Sequence, residues 1–279
     1  MGDLTDPAGP RPDREQLVAL LSREWATLAE LLGGLADEQW TRPALPGWDV
    51  HDVVAHVVGT ERQLSGEPAP PAPLGGDEPS HVRNPIGQAN ERWVLSLRDR
   101  SHSELLDELR AVTARRLAAL EQLSEAELRA PAWTPAGEAD YGRFMEIRIF
   151  DCYMHEQDIR AAVGLPGHEE GPVVEAALRE VVLALGYIVG KRVGAPDGSR
   201  VTIRLSGPIE RQLHVAVDGR AKAVAELDGP PAATIALSST LFLRLAGGRL
   251  DPTSVLGQIA RAGDPALAER LATNLAYTI

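Results

Sequence analysis

The chain has 279 residues, of which 44% are hydrophobic and 24% charged, a balance typical of a folded globular protein and not of a disordered chain. Its formal net charge is −12 and no basic patch interleaved with aromatic residues occurs, so nucleic acid is not expected as a partner. The single cysteine, Cys152, excludes an internal disulfide and a cysteine-rich zinc site. With no signal peptide and no apolar run of the roughly twenty residues that span a bilayer, a cytoplasmic protein without membrane contact is expected.

The N-terminal half is dominated by long amphipathic helices. A lead-in at residues 1–12 is expected to be disordered, and beyond it apolar residues recur at the spacing of one helix face. Asp49 is a plausible N-cap for the second helix, and Gly164 closes the last one. Helices are predicted at residues 13–32, 48–64, 84–97, 103–123 and 141–163. The long helices among these predict an antiparallel four-helix bundle at residues 11–165.

A long loop, residues 66–85, interrupts the helical pattern and contains six prolines. Loops of this length are uncommon inside compact domains and often cover a binding site. His81 lies within it, so we expect that this histidine reaches a site as part of a lid, or that it is simply solvated.

The composition changes after residue 167. A helix is predicted at residues 172–193, followed by short stretches of alternating apolar residues that are typical of strands. Asp218-Gly219 and Asp228-Gly229 are hairpin-type turn signals between these strands. Helices return at residues 239–246 and 264–277. Residues 171–279 are therefore predicted to form a smaller α+β domain with an antiparallel sheet.

The most informative residues for function are His56, on the second helix, and a stripe on the last helix. Residues four apart share one helix face, so Asp151, His155 and Asp158 lie together. Two imidazoles and one carboxylate from two helices are the donors of a zinc site that leaves a coordination position open for chemistry. Asp158 or Asp52 would orient an imidazole from outside the ligand set.

A simpler interpretation competes with the metal site. A carboxylate four residues before a histidine is often a surface pair, and a lone histidine on an apolar helix is often a core residue. Cys152 lies off the ligand stripe and has no basic neighbour arranged to activate it, so a structural role is expected. No nucleophile elbow, phosphate loop or dinucleotide fingerprint occurs.

Two segments resemble the mycothiol-dependent maleylpyruvate isomerase family, which belongs to the DinB-like metalloenzyme superfamily. Residues 45–57 read LPGWDVHDVVAHV, and residues 146–160 read EIRIFDCYMHEQDIR. Residues 243–249, LRLAGGR, through Gly263-Asp264-Pro265 resemble the C-terminal domain of that family, which is related to sterol carrier proteins. The resemblance extends in order over nearly the whole chain.

The resemblance implies a DinB-like bundle that binds a divalent metal, usually zinc. The ligands would be His56, Asp151 and His155, although the maleylpyruvate isomerase itself has Glu at the position of Asp151. It also implies mycothiol, the low-molecular-weight thiol of actinobacteria, as the thiol cofactor. A metal-bound thiol ionises near neutral pH, and the thiolate adds to an electrophilic small molecule. The addition is either permanent, as in an S-transferase, or transient, as in a cis-trans isomerase.

Three arginines, Arg143, Arg148 and Arg249, are candidate catalytic residues that would hold a carboxylate of the substrate or cofactor. A surface ion pair is an equally good interpretation of each. Two other functions stay open: a non-catalytic binding protein for an apolar ligand on a degenerate bundle, and a metal-dependent hydrolase or amidase of thiol conjugates. The identity of the substrate and the oligomeric state cannot be read from these residues.

Overall fold

The structure, a computed structural model, describes residues 7–71 and 79–278. Pro12–Gly167 form one compact unit, and the chain from His168 onward forms the second together with a short N-terminal segment that ends at Arg11. Part of the lead-in predicted to be disordered, residues 1–6, and part of the proline-rich loop, residues 72–78, lie outside the described residues.

The first unit is helical, and its four long helices form the bundle predicted from the sequence. Helix α1 packs against α5 and α7, while α3 packs against α4, α5 and α7. Each long helix begins at a residue whose side-chain oxygen accepts a backbone N–H of the first turn, which satisfies one of the free amides there. The helices are α1 (Arg14–Gly33), α2 (Asp37–Trp40), α3 (Val50–Leu64), α4 (Pro85–Leu97), α5 (His102–Gln122), α6 (Glu125–Leu128) and α7 (Tyr141–Val163).

Two small hairpins lie where no strand was predicted, and the helix predicted at residues 48–64 begins two residues later than expected, because residues 48 and 49 form a strand. Strands β1 (Pro43–Leu45) and β2 (Trp48–Asp49) pair antiparallel, as do β3 (Pro131–Thr134) and β4 (Gly137–Asp140). Each hairpin continues directly into a helix: β2 leads into α3, and β4 leads into α7. The two helices that carry the predicted metal ligands therefore both start at the end of a hairpin.

The second unit contains a five-stranded sheet flanked in sequence by helices, which confirms the predicted α+β class. Its strands lie in the order β7-β6-β5-β8-β9. The elements are α8 (Pro172–Tyr187), a π-helical turn (Ile188–Arg192), β5 (Arg200–Ser206), β6 (Arg211–Asp218), β7 (Arg220–Val224), β8 (Ala233–Ser238), α9 (Ser239–Ala246), a 3-10 helix (Pro252–Gln258), β9 (Ala260–Gly263) and α10 (Pro265–Thr273).

The sheet is mixed, because β8 pairs parallel with β5 while the other neighbours are antiparallel. Asp218-Gly219 is the hairpin turn between β6 and β7, as predicted. The hairpin predicted at Asp228-Gly229 is absent, since β8 crosses over to pair with β5 instead of β7. Asp228 instead accepts hydrogen bonds from Arg200 Nε at 2.6 Å and Nη2 at 3.0 Å. Strand β7 ends at Val224, four residues before Asp228, so the turn signal marked only the connection between β7 and β8 and not the strand that β8 joins.

Helix α8 lies close against the sheet because it carries a glycine at the contact. A Cβ atom at Gly186 would lie 2.8 Å from the carbonyl oxygen of Ala221 on β7. Among the residues that the structure describes, no helix is long and apolar enough to cross a membrane.

Candidate metal centre

The centre lies where α3 packs against α7 in the helical unit. His56 is in the second turn of α3, flanked by the fully buried Ala55 and Val57. Asp151 and His155 are one turn apart on α7, as the four-residue spacing predicted. Both imidazoles are buried, and the Asp151 side chain keeps 32% of its surface exposed. The three groups therefore form a buried cluster with one accessible side.

The donor atoms of these three residues converge. His56 Nε2 lies 3.5 Å from Asp151 Oδ2, and His155 Nε2 lies 3.6 Å from Asp151 Oδ1. One ligand atom from each residue lies within 4.8 Å of the other two. Donor atoms held about 2.0–2.1 Å from zinc at tetrahedral angles lie roughly 3.3–3.4 Å apart. The spacing thus fits a tetrahedral cation with three protein ligands.

The protonation states also suit a cation. Burial lowers the pKa of His56 to about 4, although contact with Asp151 acts in the opposite direction, so the ring is neutral at pH 7. Burial disfavours the Asp151 carboxylate, but the Arg148 guanidinium, together with the neighbouring imidazoles, outweighs this effect and holds the pKa of Asp151 well below the usual range. Metal binding needs a neutral imidazole and an ionised carboxylate, which is what the two residues present.

His155 has an orienting partner on its own helix. Its Nδ1 lies 3.2 Å from Oδ2 of the buried Asp158, which leaves Nε2 facing Asp151. A carboxylate on the distal nitrogen of an imidazole fixes its tautomer and raises its basicity as a ligand. Asp52, the alternative considered from the sequence, instead accepts hydrogen bonds from Arg98 Nε at 3.0 Å and Nη2 at 2.8 Å.

Arg148 is buried and contacts one residue of α3 and two of α7. Its Nη1 donates to Asp151 Oδ2, its Nε donates to Glu61 Oε1 at 2.9 Å, and its Nη2 lies 3.4 Å from Cys152 Sγ. On the other side of the same carboxylate, Arg116 Nε donates to Glu61 Oε2 at 3.0 Å. Sequence reasoning missed Glu61 and Arg116, because their partners lie on other helices and no local spacing signals them.

The other two candidate arginines lie elsewhere. Arg143 is in the first turn of α7, where its backbone N–H donates to the capping side chain of Asp140. Arg249 belongs to the second unit, where its Nη1 donates to the carbonyl of Gly247 at 2.7 Å. Their proposed carboxylate-holding roles stay predictions.

An aromatic residue covers His56. The Trp48 ring lies 5.4 Å from the His56 ring, and Trp48 Nε1 donates to Glu91 Oε2 at 2.8 Å. His81, from the proline-rich loop, contacts the same oxygen of Glu91 at 3.0 Å and meets Trp48 edge-on at 6.2 Å. Gly47, at φ +82°, makes room for it, since a Cβ there would lie 2.3 Å from His81 Nδ1. His81 therefore contacts the outer side of the residue that covers His56.

Cys152 lies one residue from Asp151 and is fully buried. Burial raises the pKa of its thiol far above the ordinary value, and the nearby charge of Arg148 only partly offsets that effect. The thiol is therefore protonated at neutral pH, and its side chain has no exposed surface. The expectation that no basic residue lies beside Cys152 was wrong, since Arg148 Nη2 lies 3.4 Å from its Sγ. The structural role stays a prediction.

Two sequence profiles of one family match the chain. The profile for the mycothiol maleylpyruvate isomerase N-terminal domain matches residues 21–160, which is half of the chain, and that for the C-terminal domain of the same family matches residues 175–270. No protein of curated function is significantly similar in sequence.

The comparison with solved structures concerns the fold. The crystal structure of the mycothiol-dependent maleylpyruvate isomerase has a TM-score of 0.58 at 17% identity, over 90% of this chain and 93% of its own. A histidine-to-alanine mutant of that isomerase gives the same values. YfiT from Bacillus subtilis, a protein with an unusual four-helix bundle topology, has a TM-score of 0.37 at 18% identity, over 56% of this chain and 90% of its own. Since the profile matches cover the helical unit and most of the second one, the chain belongs to the mycothiol-dependent maleylpyruvate isomerase family.

Proposed function

We propose that the chain is a metal-dependent enzyme that uses mycothiol, and that the thiol adds to an electrophilic small molecule. The reaction is either a maleylpyruvate-type cis-trans isomerisation or an S-transfer. The observation that carries the proposal is the convergence of a neutral His56, an ionised Asp151 and an oriented His155 at spacings that fit a tetrahedral cation. The family membership supports mycothiol as the thiol.

His56, Asp151 and His155 are the proposed ligands, and zinc is the proposed ion. Three protein ligands leave a fourth tetrahedral position for an exogenous group, and the partial exposure of Asp151 is consistent with access from one side. Zinc bound there would lower the pKa of a coordinated thiol towards neutrality, which makes it a nucleophile.

The chain's own residues prepare that chemistry. The Asp158 carboxylate accepts a hydrogen bond from Nδ1–H of His155, which leaves Nε2 unprotonated and able to bind the metal. Trp48 covers the His56 ring and shields one side of the centre from water. Cys152 is too deeply buried to supply the nucleophile, so the thiol comes from a separate molecule.

The proposal assigns the metal centre to one domain. Residues 11–165 are the proposed metal-binding DinB-like bundle, and residues 171–279 are the proposed sterol-carrier-like domain. Arg143 in the bundle and Arg249 in the second domain stay separate candidates for holding a carboxylate. Arg148, predicted from the sequence for the same role, is proposed instead to act through its contact with Asp151.

The first test is zinc titration of the metal-free wild-type protein, followed by elemental analysis. We expect one tightly bound zinc per chain. A protein that retains less than one equivalent after reconstitution would instead be the non-catalytic binding protein considered from the sequence.

The second test separates the reactions. The zinc-loaded and metal-free proteins are incubated with mycothiol and a set of electrophiles that includes cis-configured unsaturated diacids. We expect zinc-dependent adduct formation for a transferase, or cis-to-trans conversion without net loss of thiol for an isomerase. Cleavage of preformed mycothiol conjugates, with no thiol addition to any electrophile, would identify a hydrolase and overturn the proposal.

A further inference from the structure

A buried ionic cluster lies directly beside the candidate metal centre. Glu61 on α3 contacts two guanidinium groups: Arg116 of α5 at 3.0 Å and Arg148 of α7 at 2.8 Å. All three side chains are at least 96% buried, with exposed fractions of 4% or less. Arg148 continues to Asp151, the acidic residue of the centre. The cluster thus joins three helices and ends on a proposed ligand.

The charges of this cluster balance only because of Glu61. Arg116 and Arg148 are two positive charges, while Glu61 and Asp151 are two negative ones. Asp151 faces both imidazoles of the centre, so its negative charge would also balance part of the charge of a cation bound there. Without Glu61, the two buried guanidinium groups would face only one carboxylate, that of Asp151. The negative charge of Asp151 would then have to balance both guanidinium groups and a bound divalent cation.

We propose that Glu61 is a positioning residue of the metal centre: it neutralises Arg116 and Arg148, so that Arg148 holds Asp151 in place without repelling the cation. The inference rests on the proposed function, because it assumes that the centre binds a metal. It assigns a role to a residue that touches neither the ion nor the substrate.

Two consequences follow from the geometry. Arg148 donates to Oδ2 of Asp151, the oxygen that also faces His56 Nε2, while Oδ1 faces His155 Nε2. The hydrogen bond therefore fixes the orientation of a carboxylate whose two oxygens face the two imidazoles of the centre. Uncompensated positive charge would strengthen the hold of Arg148 on Asp151 and raise the potential at the centre, and both effects weaken cation binding.

The test compares two variants that break the same ion pair with opposite changes of charge. Glu61→Gln removes the negative charge, whereas Arg116→Met removes a positive one and leaves Glu61 paired with Arg148. The dissociation constant for zinc alone is measured by competition with a chromophoric chelator, and folding is checked by circular dichroism. We expect Glu61→Gln to bind zinc about 10–100-fold more weakly than the wild type, a range typical of groups behind a metal ligand. Arg116→Met should bind zinc at least as tightly as the wild type.

A general loosening of the bundle would weaken both variants alike, so the opposite signs identify the role of charge. Equal weakening of both variants, or wild-type affinity in Glu61→Gln, would overturn the inference while leaving the proposed function intact. Failure of the wild-type protein to bind zinc would overturn both.

A third variant covers the case in which Glu61→Gln does not fold. The double variant Glu61→Gln with Arg116→Met restores a balance of one positive and one negative charge, on Arg148 and Asp151. We expect it to bind zinc more weakly than Arg116→Met alone. Equal affinity of the double variant and Arg116→Met would contradict a role for the Glu61 charge.

Discussion

The helical unit and the second unit, named the mixed unit because it combines a sheet with helices, differ in the side chains that they bury. The mixed unit is built on alternating aliphatic residues of β5, β6 and β8, and Glu180 is the single ionisable side chain that it buries among the residues the structure describes. The helical unit buries acids, imidazoles and guanidinium groups along with its leucines and valines. Those on α3, α5 and α7 are His51, Asp52, His56, Glu61, Arg116, Glu146, Arg148, His155, Glu156 and Asp158.

This difference in buried ionisable groups bears on which unit carries the proposed chemistry. Burying an ionisable group is costly unless it is paired, and an apolar side chain of similar size would stabilise a core at least as well. The aliphatic sheet is what stability alone favours. The proposed metal centre would need fixed charges of this kind in the interior of the bundle. If the proposal holds, the two units should respond differently to the same kind of substitution.

The largest contrast is expected for histidines. His155→Ala should abolish zinc retention, because it removes a donor atom. This loss of zinc affinity is larger than the roughly 10–100-fold loss typical of groups that only support a ligand. The control is His214→Ala in the mixed unit, where the ring contacts Thr202 Oγ1 at 3.0 Å. Zinc content by elemental analysis checks both. Retention of zinc in His155→Ala, with the helical content unchanged, would show that this ring is not a ligand.

The converse contrast concerns the apolar core. Phe242 on α9 is fully buried, so Phe242→Ala should lower the free energy of unfolding of the mixed unit by about 3–5 kcal/mol. Zinc stoichiometry should not change. Chemical denaturation measures the effect, with Leu183→Ala, whose side chain is 43% exposed, as the control of small expected effect. If Phe242→Ala lowered the free energy of unfolding by less than Leu183→Ala does, the buried position of Phe242 in the core would be contradicted.

A pH dependence should belong to the helical unit. Because burial lowers the pKa of His56 to about 4 in the folded protein, the unfolded chain binds more protons between that value and about 6.5. The contribution of this group to stability is present above pH 6.5 and is lost as the pH falls to 4, by at most about 3 kcal/mol. Unfolding of the metal-free protein across this range measures it. His56→Gln should flatten the profile, and an unchanged slope in that variant would refute the assignment.

The smallest effect is expected for the partner of His155. Asp158→Asn keeps the size of the side chain and removes its charge, so zinc should bind about 10–100-fold more weakly, with one equivalent still bound at saturation. Asp52→Asn is the matched control, since Asp52 is also buried but contacts Arg98 instead of an imidazole. Chelator competition compares the two. Equal affinities would mean that Asp158 does not support the centre.

Local patterns predicted much of this molecule. Helix α7 begins and ends at the predicted residues, and the four-residue spacing of Asp151 and His155 correctly placed them on one face. The contacts between segments that are distant in the chain could not be predicted from these local patterns. Arg148 and Glu61 are 87 residues apart, and β8 pairs with β5 and not with β7, the strand that precedes it in the chain. Periodicity reports the face that a residue occupies on its own element, whereas its partner across the core depends on how elements meet.

The junctions between hairpins and helices constrain chain length. Asp49 is paired with Pro43 across the first hairpin and also caps α3, and Asp140 is paired with Pro131 and caps α7. Each ligand-bearing helix is thereby anchored at its first residue, and one added or deleted residue beyond that anchor would rotate every later side chain by about 100°. An insertion ahead of a hairpin, between α2 and β1 or between α6 and β3, would leave this rotation unchanged. The stretches from Asp49 to His56 and from Asp140 to His155 are expected to be fixed in length.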